Sequence, residues 1–256
     1  MVVKCIWKRT PSLGTGRRRL GGIHRAISLE VAIASILRIG HRGAAGHAPE
    51  NTLAAIWKAR SFRADLIEVD VRETCDGHLV LLHDETVDRT TNKRGHVAEM
   101  SLDQVQRLDA GNGQCIPTLE EALKVATGRI GMILELKVEG IGNEILAIVN
   151  RVGFSGLLIY ASFLVDELHL VRQVDPLAKI MVLHHRRIPQ DPIADVVAVN
   201  ASHVGLHFAT VTVALLQTYH NLGQQVFAYT VNEPRDIRHM RDMGVDGIVS
   251  DFPDRI

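Results

Sequence analysis

The feature that most constrains this chain is a regular alternation. From Ile36 onward, short runs rich in Val, Ile and Leu alternate with stretches of helical periodicity. That is the pattern of a parallel α/β protein whose strands are covered on both faces. Nine strands are expected: Ile36–Gly40, Leu66–Arg72, Leu79–His83, Ile130–Leu136, Leu157–Ala161, Lys179–Leu183, His203–Leu206, Val226–Thr230 and Gly247–Val249. The second and third are joined only by a few residues around Asp76-Gly77, a hairpin signal. This pair is therefore antiparallel and cannot be a right-handed βαβ step. Setting the return strand aside leaves eight parallel strands over about 220 residues, which predicts a (β/α)8 TIM barrel, with a doubly wound sheet as the alternative. A barrel places functional residues at the C-terminal ends of its strands and in the loops beyond them.

About thirty residues intervene between the strand ending near His83 and Pro117-Thr118-Leu119-Glu120-Glu121, including Arg89–Gly95 and a helix-like Ser101–Leu108. An insertion of that size, at about 85–117, is expected to sit over the mouth as a small subdomain. Residues 1–34 read as a basic extension outside the domain that spans 35–256. Seven of the 29 Lys and Arg residues precede the first acid, Glu30, which leaves 22 basic against 29 acidic residues from there on. A body with a balance of −7 disfavours nucleic acid as a partner. No window approaches eighteen uninterrupted apolar residues, which argues against a spanning helix. Three cysteines, Cys5, Cys75 and Cys115, show no zinc or disulfide spacing, and so sparse a set fits a reducing, cytoplasmic compartment.

Several strand ends carry ionisable residues. Ile39-Gly40-His41-Arg42-Gly43 stands where the first strand opens into a loop, followed by Pro49-Glu50-Asn51-Thr52 and a helix beginning at Thr52–Ala59. His41 is suited to proton transfer near neutral pH and Arg42 offers a fixed charge for an anion, although a structural pair meets the same description. In Leu66–Arg72 a period of two puts Glu68 and Asp70 on one face and Ile67, Val69 and Val71 on the other. Two carboxylates about 4 Å apart repel by up to roughly 4 kcal/mol at an effective dielectric of 20, unless protonated or bridged by a cation. An exposed acidic face with basic partners is the other reading of the pair. A two-residue turn at Asp76-Gly77 would pair Cys75 with His78, Glu73 with Val80 and Asp70 with His83, bringing His83 and Asp84 beside the acids unless a bulge intervenes. Glu135 and Lys137 share a face at the end of Ile130–Leu136. Three acids from two strands make a plausible site for a hard cation, whereas two histidines without cysteines argue against structural zinc.

The segments IGHRGAAGHAPENT, LIEVDVRETCDGHLVLLHD, DRTTNKRG, IPTLEEAL, ILELK, AYTVNEP and DGIVSDFPD occur in that order over about residues 36 to 254, and together they resemble glycerophosphodiester phosphodiesterases. The resemblance implies a TIM barrel with an inserted subdomain and hydrolysis of a small-molecule glycerophosphodiester to sn-glycerol 3-phosphate and an alcohol. It implies one divalent cation (magnesium, calcium or manganese) on Glu68, Asp70 and Glu135. His41 and His83 become the general acid and base, and Arg42 and Lys137 the cations that meet the phosphate. The sequence departs from the family pattern at Ala228-Tyr229, where a Trp-containing pair is frequent, and at Ser250, where Thr is usual; both bear on substrate preference. A lysophospholipase D-like enzyme and a non-catalytic phosphate-binding barrel are the alternatives. The headgroup alcohol and the oligomeric state stay open.

Overall fold

The computed structural model describes residues 35–256; the amino-terminal stretch read above as a basic extension, residues 1–34, lies outside the described residues. Nine strands form one sheet: β1 (Leu37–Gly40), β2 (Leu66–Glu73), β3 (Leu79–Leu81), β4 (Gly131–Leu136), β5 (Leu158–Ser162), β6 (Lys179–His184), β7 (His203–His207), β8 (Gln225–Tyr229) and β9 (Gly247–Ser250). All but β3 are parallel to their neighbours, and β1 pairs with β2 on one side and β9 on the other. That double pairing closes an eight-stranded barrel and removes the doubly wound alternative, whose outer strands stay open. No helix among the described residues is long and apolar enough to cross a membrane.

Helices α1 (Leu53–Ser61), α3 (Leu119–Ala126), α4 (Gly142–Val152), α5 (Val165–Val174), α6 (Ala194–Ala198), α7 (Val213–Asn221) and α8 (Pro234–Met243) connect successive barrel strands; the short α2 (Leu102–Gln106) lies in the insertion. Their starts follow from local chemistry. Thr52 caps α1 by accepting from Ala55 N, and Thr118 and Glu121 form a reciprocal capping box at α3. Ser101 and Gln104 do the same for α2, so the helix expected over Ser101–Leu108 is shorter, with Ser101 as its cap.

Alternation along the strands builds two cores. Outward-facing Ile67, Val69, Val71, Leu134 and Leu136 pack against the helices, while Ile39, Leu66, Ile133, Ile159, Met181, Leu183, Phe227 and Val249 fill the barrel interior. On β2 the inward row then changes character: Leu66 belongs to the apolar filling, and Glu68 and Asp70, two and four residues on, are buried acids. The hydrocarbon layer is therefore the floor beneath a charged mouth.

The hairpin differs from the expected register. Val71 pairs with Leu81, Arg72 with Val80 and Glu73 with Leu79, one residue out of step with the two-residue turn that would have opposed Asp70 to His83. The turn is a three-residue loop instead. Gly77 N donates to Thr74 O, Thr74 N donates to His78 O, and Gly77 has φ +80, the combination of a type I turn followed by a left-handed residue. Asp70 O accepts from Leu82 N, and β3 ends at Leu81. His83 lies beyond the ladder, so strand alternation no longer dictates where its side chain points. The chain then forms the insertion around its own small core, in which Val87, Val97, Val105, Leu108 and Ile116 pack on Val80 and Leu82.

Two outcomes follow from this packing. A Cβ on Gly77 would meet nothing closer than 4.0 Å, so Gly77→Ala is a purely conformational change, expected to cost about 1–2 kcal/mol and measurable by denaturant titration. His203, 3% exposed and against the Phe227 ring, is pushed down to about 4 by burial and by Lys179. Between that value and 6.5 the unfolded chain binds the proton that the folded one refuses. The stability is fully present above pH 6.5 and falls as the pH drops toward 4, by about 3 kcal/mol. His203→Gln is expected to remove that part of the pH dependence in denaturation curves at pH 7 and 4.5.

Candidate active site

The loop after β1 is folded back sharply onto β2. A Cβ on Gly40 would lie 2.0 Å from the Gly43 carbonyl oxygen, and Arg42 and Gly43 have φ of 49 and 85, so only glycine fits at the first position and the chain turns through left-handed conformations at the next two. The turn is fastened by side chain and backbone. Arg42 N donates to Glu68 Oε2 at 2.9 Å, Gly43 N to Glu68 O at 3.1 Å, and Asn51 N to Arg42 O at 3.0 Å.

Below that loop, Glu68 and Asp70 on β2 meet Glu135 on β4, where Asp70 and Glu135 are register partners. One carboxylate oxygen from each residue lies within 4.8 Å of the other two. Asn51 clamps Asp70, its Nδ2 donating to Oδ2 at 2.8 Å while its Oδ1 accepts from Asp70 N at 3.1 Å. Lys137 Nζ lies 2.6 Å from Glu135 Oε1 and 3.5 Å from Asp70 Oδ1, and Arg42 Nε lies 3.4 Å from Asp70 Oδ2, within ion-pair range but out of hydrogen-bond alignment. Glu68 Oε1 is buried without a hydrogen-bond partner among the described residues.

These surroundings split the acids. Burial and the neighbouring Asp70 push Glu68 up to about 8 against the pull of His41. Burial and Asp70 likewise raise Glu135, with Lys137 opposing. Burial works to raise Asp70 too, but Lys137 and Arg42 outweigh it and hold Asp70 below the usual carboxylate range. Two buried carboxylates and a third that is half-buried, contacted by two cations and with one oxygen left over, call for one more positive charge. An all-oxygen donor set fits a hard divalent cation.

Both histidines line the cleft above these acids, and each is held from behind by an aspartate. His41 Nδ1 is 2.6 Å from Asp251 Oδ1, with Nε2 3.9 Å from Glu68 Oε2; His83 Nδ1 is 2.6 Å from Asp84 Oδ1. An ionised carboxylate only accepts, so Nδ1 carries a proton in both rings and Nε2 is left to exchange one. Burial lowers both, but the Asp251 hydrogen bond and Glu68 lift His41 above the ordinary histidine value, whereas His83 stays below it despite Asp70 and Asp84.

All seven residues singled out in the sequence therefore surround one cleft: His41, Arg42, Glu68, His83, Glu135 and Lys137 line it, and Asp70 lies directly beneath. The remaining wall is mostly apolar and includes Ala161, Phe163, Met181, Leu183, Phe227 and Tyr229. Within this wall Tyr229, one of the two departures from the family pattern, donates its hydroxyl to the His184 carbonyl. At the other departure, Ser250 Oγ donates to Asn232 Oδ1 at 3.0 Å and accepts from Phe252 N at 3.1 Å.

Of the supporting residues, the sequence placed only Asp84 beside the acids. Asn232 Nδ2 donates to Asp251 Oδ2 at 2.6 Å, and its Oδ1 accepts from Asp251 N at 2.9 Å. Glu50 Oε1 accepts from Arg42 Nη1 at 2.6 Å, and Arg89 reaches Glu50 and Asp84. Each lies in a quoted segment (PENT, HD, DRTTN, VNEP, SDFPD), but side-chain partners more than 200 residues apart, such as His41 and Asp251, leave no local spacing signal.

The model of the glycerophosphoryl diester phosphodiesterase family matches residues 41–255. YhdW of Bacillus subtilis (strain 168) is 36% identical over 231 residues, covering 85% of this chain and 95% of that protein. The glycerophosphodiester phosphodiesterase of Caldanaerobacter subterraneus subsp. tengcongensis is 33% identical over 233 residues, covering 86% and 96%. Among solved structures, an Oleispira antarctica phosphodiesterase in complex with the product sn-glycerol-3-phosphate superposes with a TM-score of 0.79 at 29% identity, covering 85% of this chain and 94% of that one. The Agrobacterium tumefaciens glycerophosphodiester phosphodiesterase gives 0.77 at 31% identity, covering 86% and 98%. The closed barrel, the acids and histidines at its mouth, and a match that runs almost the length of the barrel lead to one assignment: this chain belongs to the glycerophosphoryl diester phosphodiesterase family.

Proposed function

We propose that the barrel over residues 35–256, with its insertion at about 85–117, hydrolyses glycerophosphodiesters to sn-glycerol 3-phosphate and an alcohol. In this reading a divalent cation sits on Glu68, Asp70 and Glu135, and His41 and His83 transfer the protons. The observation that carries it is the pairing of two aspartate-backed histidines with three converging carboxylates in one cleft. The product bound to the Oleispira antarctica relative supports the choice of substrate.

Bound there, the cation supplies Lewis-acid stabilisation of charge on the phosphoryl oxygens. Arg42 and Lys137 bring two further positive charges, already fixed by Glu50, Glu135 and Asp70, so little reorganisation accompanies charge build-up. One histidine takes the proton of the attacking hydroxyl through Nε2 as the P–O bond forms; the other gives its Nε2 proton to the departing alcohol oxygen as the second P–O bond breaks. With the glycerol 2-hydroxyl as nucleophile, the product of this step is a cyclic phosphate. Water then opens that ring with the two histidines in exchanged roles. The apolar wall opposite offers a dry surface to the carbon skeleton.

Chelation is expected to abolish release of glycerol 3-phosphate from glycerophosphocholine, glycerophosphoethanolamine and glycerophosphoglycerol, and added magnesium, calcium or manganese to restore it. The same cation at about 100 times its dissociation constant is expected to stabilise the fold by about 2.7 kcal/mol, read as a rise in melting temperature that Glu68→Gln diminishes. Activity indifferent to chelation, in protein shown by metal analysis to be metal-free, would remove the cation from the scheme. His41→Ala and His83→Ala are each expected to lower turnover by at least about 10²-fold with the fold retained by circular dichroism. Near-parental turnover in either variant would remove that histidine from the reaction.

A further inference from the structure

Arg89 belongs to the insertion, yet among the described residues its side-chain hydrogen bonds all go to residues that hold the cleft. Its Nη1 and Nη2 donate to Glu50 Oε2 and Oε1 at 2.7 and 2.8 Å, and its Nε donates to Asp84 Oδ2 at 2.7 Å. Each acid it grips has a second partner in the cleft. Glu50 Oε1 also accepts from Arg42 Nη1 at 2.6 Å, and Asp84 Oδ1 is the partner of His83 Nδ1. The contacts form an unbroken belt around the mouth: His83, Asp84, Arg89, Glu50, Arg42 and then Asp70.

We propose that Arg89 is a positioning residue of the active site: carried across the mouth by the insertion, it clamps Glu50 and Asp84 and through them fixes the Arg42 guanidinium and the His83 imidazole. The proposal rests on the roles proposed above for Arg42 and His83. It gives the insertion a function, the delivery of one guanidinium.

Three observations support it. First, the geometry needs a guanidinium: a bidentate grip on one carboxylate and a third N–H to another uses the planar fork of arginine, which an ammonium cannot reproduce. Second, the side chain is presented by a tied loop. Val87, wholly buried in the insertion core, precedes it by two residues; Thr91 N donates to Val87 O at 3.0 Å, and Gly95 N donates to Asp88 Oδ1 at 2.9 Å. Third, a purely structural role is a poor account of so many bonds. The Arg89 side chain is 48% exposed and Asp84 31%, and ion pairs at such sites add little to stability. What they do accomplish is to fix the orientation of both acids, and the same contacts draw Asp84 and Glu50 below the usual carboxylate range. An ionised Asp84 accepts from His83 Nδ1 and leaves Nε2 toward the cleft.

The test compares the full chain with Arg89→Met, Arg89→Lys, Asp84→Asn, Glu50→Gln and the double variants that combine Arg89→Met with each acid change. Steady-state hydrolysis of glycerophosphoglycerol with saturating magnesium, thermal melting, and 15N NMR of the His83 ring are read together. Arg89→Met is expected to lower kcat by about 10- to 100-fold, the usual effect of removing a group that orients a functional residue, with an almost unchanged melting temperature. Arg89→Lys is expected to recover only part of the loss. Each double variant is expected to be no worse than about the weaker of its singles, because both changes cut one chain of contacts. The Nδ1-protonated signature of His83, sharp in the parent, is expected to broaden or change tautomer in Arg89→Met. A kcat within twofold of the parent, full recovery by lysine, losses that multiply in both double variants, or a His83 signal unchanged by Arg89→Met would each overturn the proposal. The NMR readout needs no turnover. A parent chain that hydrolyses nothing would overturn the function proposed above, while His83 would still report whether Arg89 positions it.

Discussion

Three carboxylates share one small volume at the mouth of a barrel whose floor is mostly apolar, and the surroundings of the cleft are arranged around that strain. Glu68, Asp70 and Glu135 each place an oxygen within 4.8 Å of the others, and in a medium of low polarity their repulsion is felt with little screening. Lys137, Arg42 and Asn51 offset part of it. The remainder shows in Glu68, pushed up to about 8, and in its Oε1, which has no hydrogen-bond partner among the described residues.

The second layer consists of acids that face outward from the cleft. Asp251 stands behind His41 and Asp84 behind His83, and Glu50 stands beside Arg42. None of the three is among the converging carboxylates of Glu68, Asp70 and Glu135. Their effect is to fix which atom of a neighbouring ring or guanidinium faces the cleft. They come from the loops after β9, β3 and β1, and Asn232, Arg89 and the turn around Gly40 in turn hold them or their partners. A closed barrel brings such loops together because its strand ends form a ring.

The cleft is also asymmetric. Charges cluster on the side of β1, β2 and β4, whereas Phe163, Met181, Leu183 and Tyr229 from β5, β6 and β8 make the opposite side apolar. A phosphodiester has the same asymmetry, with an anionic centre and carbon-bearing arms. The charged side can hold the phosphate while the apolar side keeps bulk water away from it, which strengthens every electrostatic contact within.

Much of this was legible in the sequence because it is periodic or local. Alternation along Leu66–Arg72 put Glu68 and Asp70 on one face, and the same rule paired Glu135 with Lys137; eight parallel strands implied where such faces would meet. Tertiary structure decided the rest, for reasons that spacing does not encode. The loop of the β2–β3 hairpin has three residues instead of two, since Gly77 takes a left-handed conformation after a type I turn, and that single residue shifts the ladder so that Asp70 stands opposite Leu82. His83 reaches the cleft only because the chain leaves the ladder after Leu81. Asp251, Asn232 and Arg89 become partners of residues far away in the chain through barrel closure and the folding of the insertion on its own core. The sequence by itself determined a parallel α/β architecture and the charged groups at its strand ends, because strand–helix alternation and the repeat of two along each strand are local patterns. Only the closed structure decided how those groups are held, because each hold is a contact between loops whose distance in sequence carries no period.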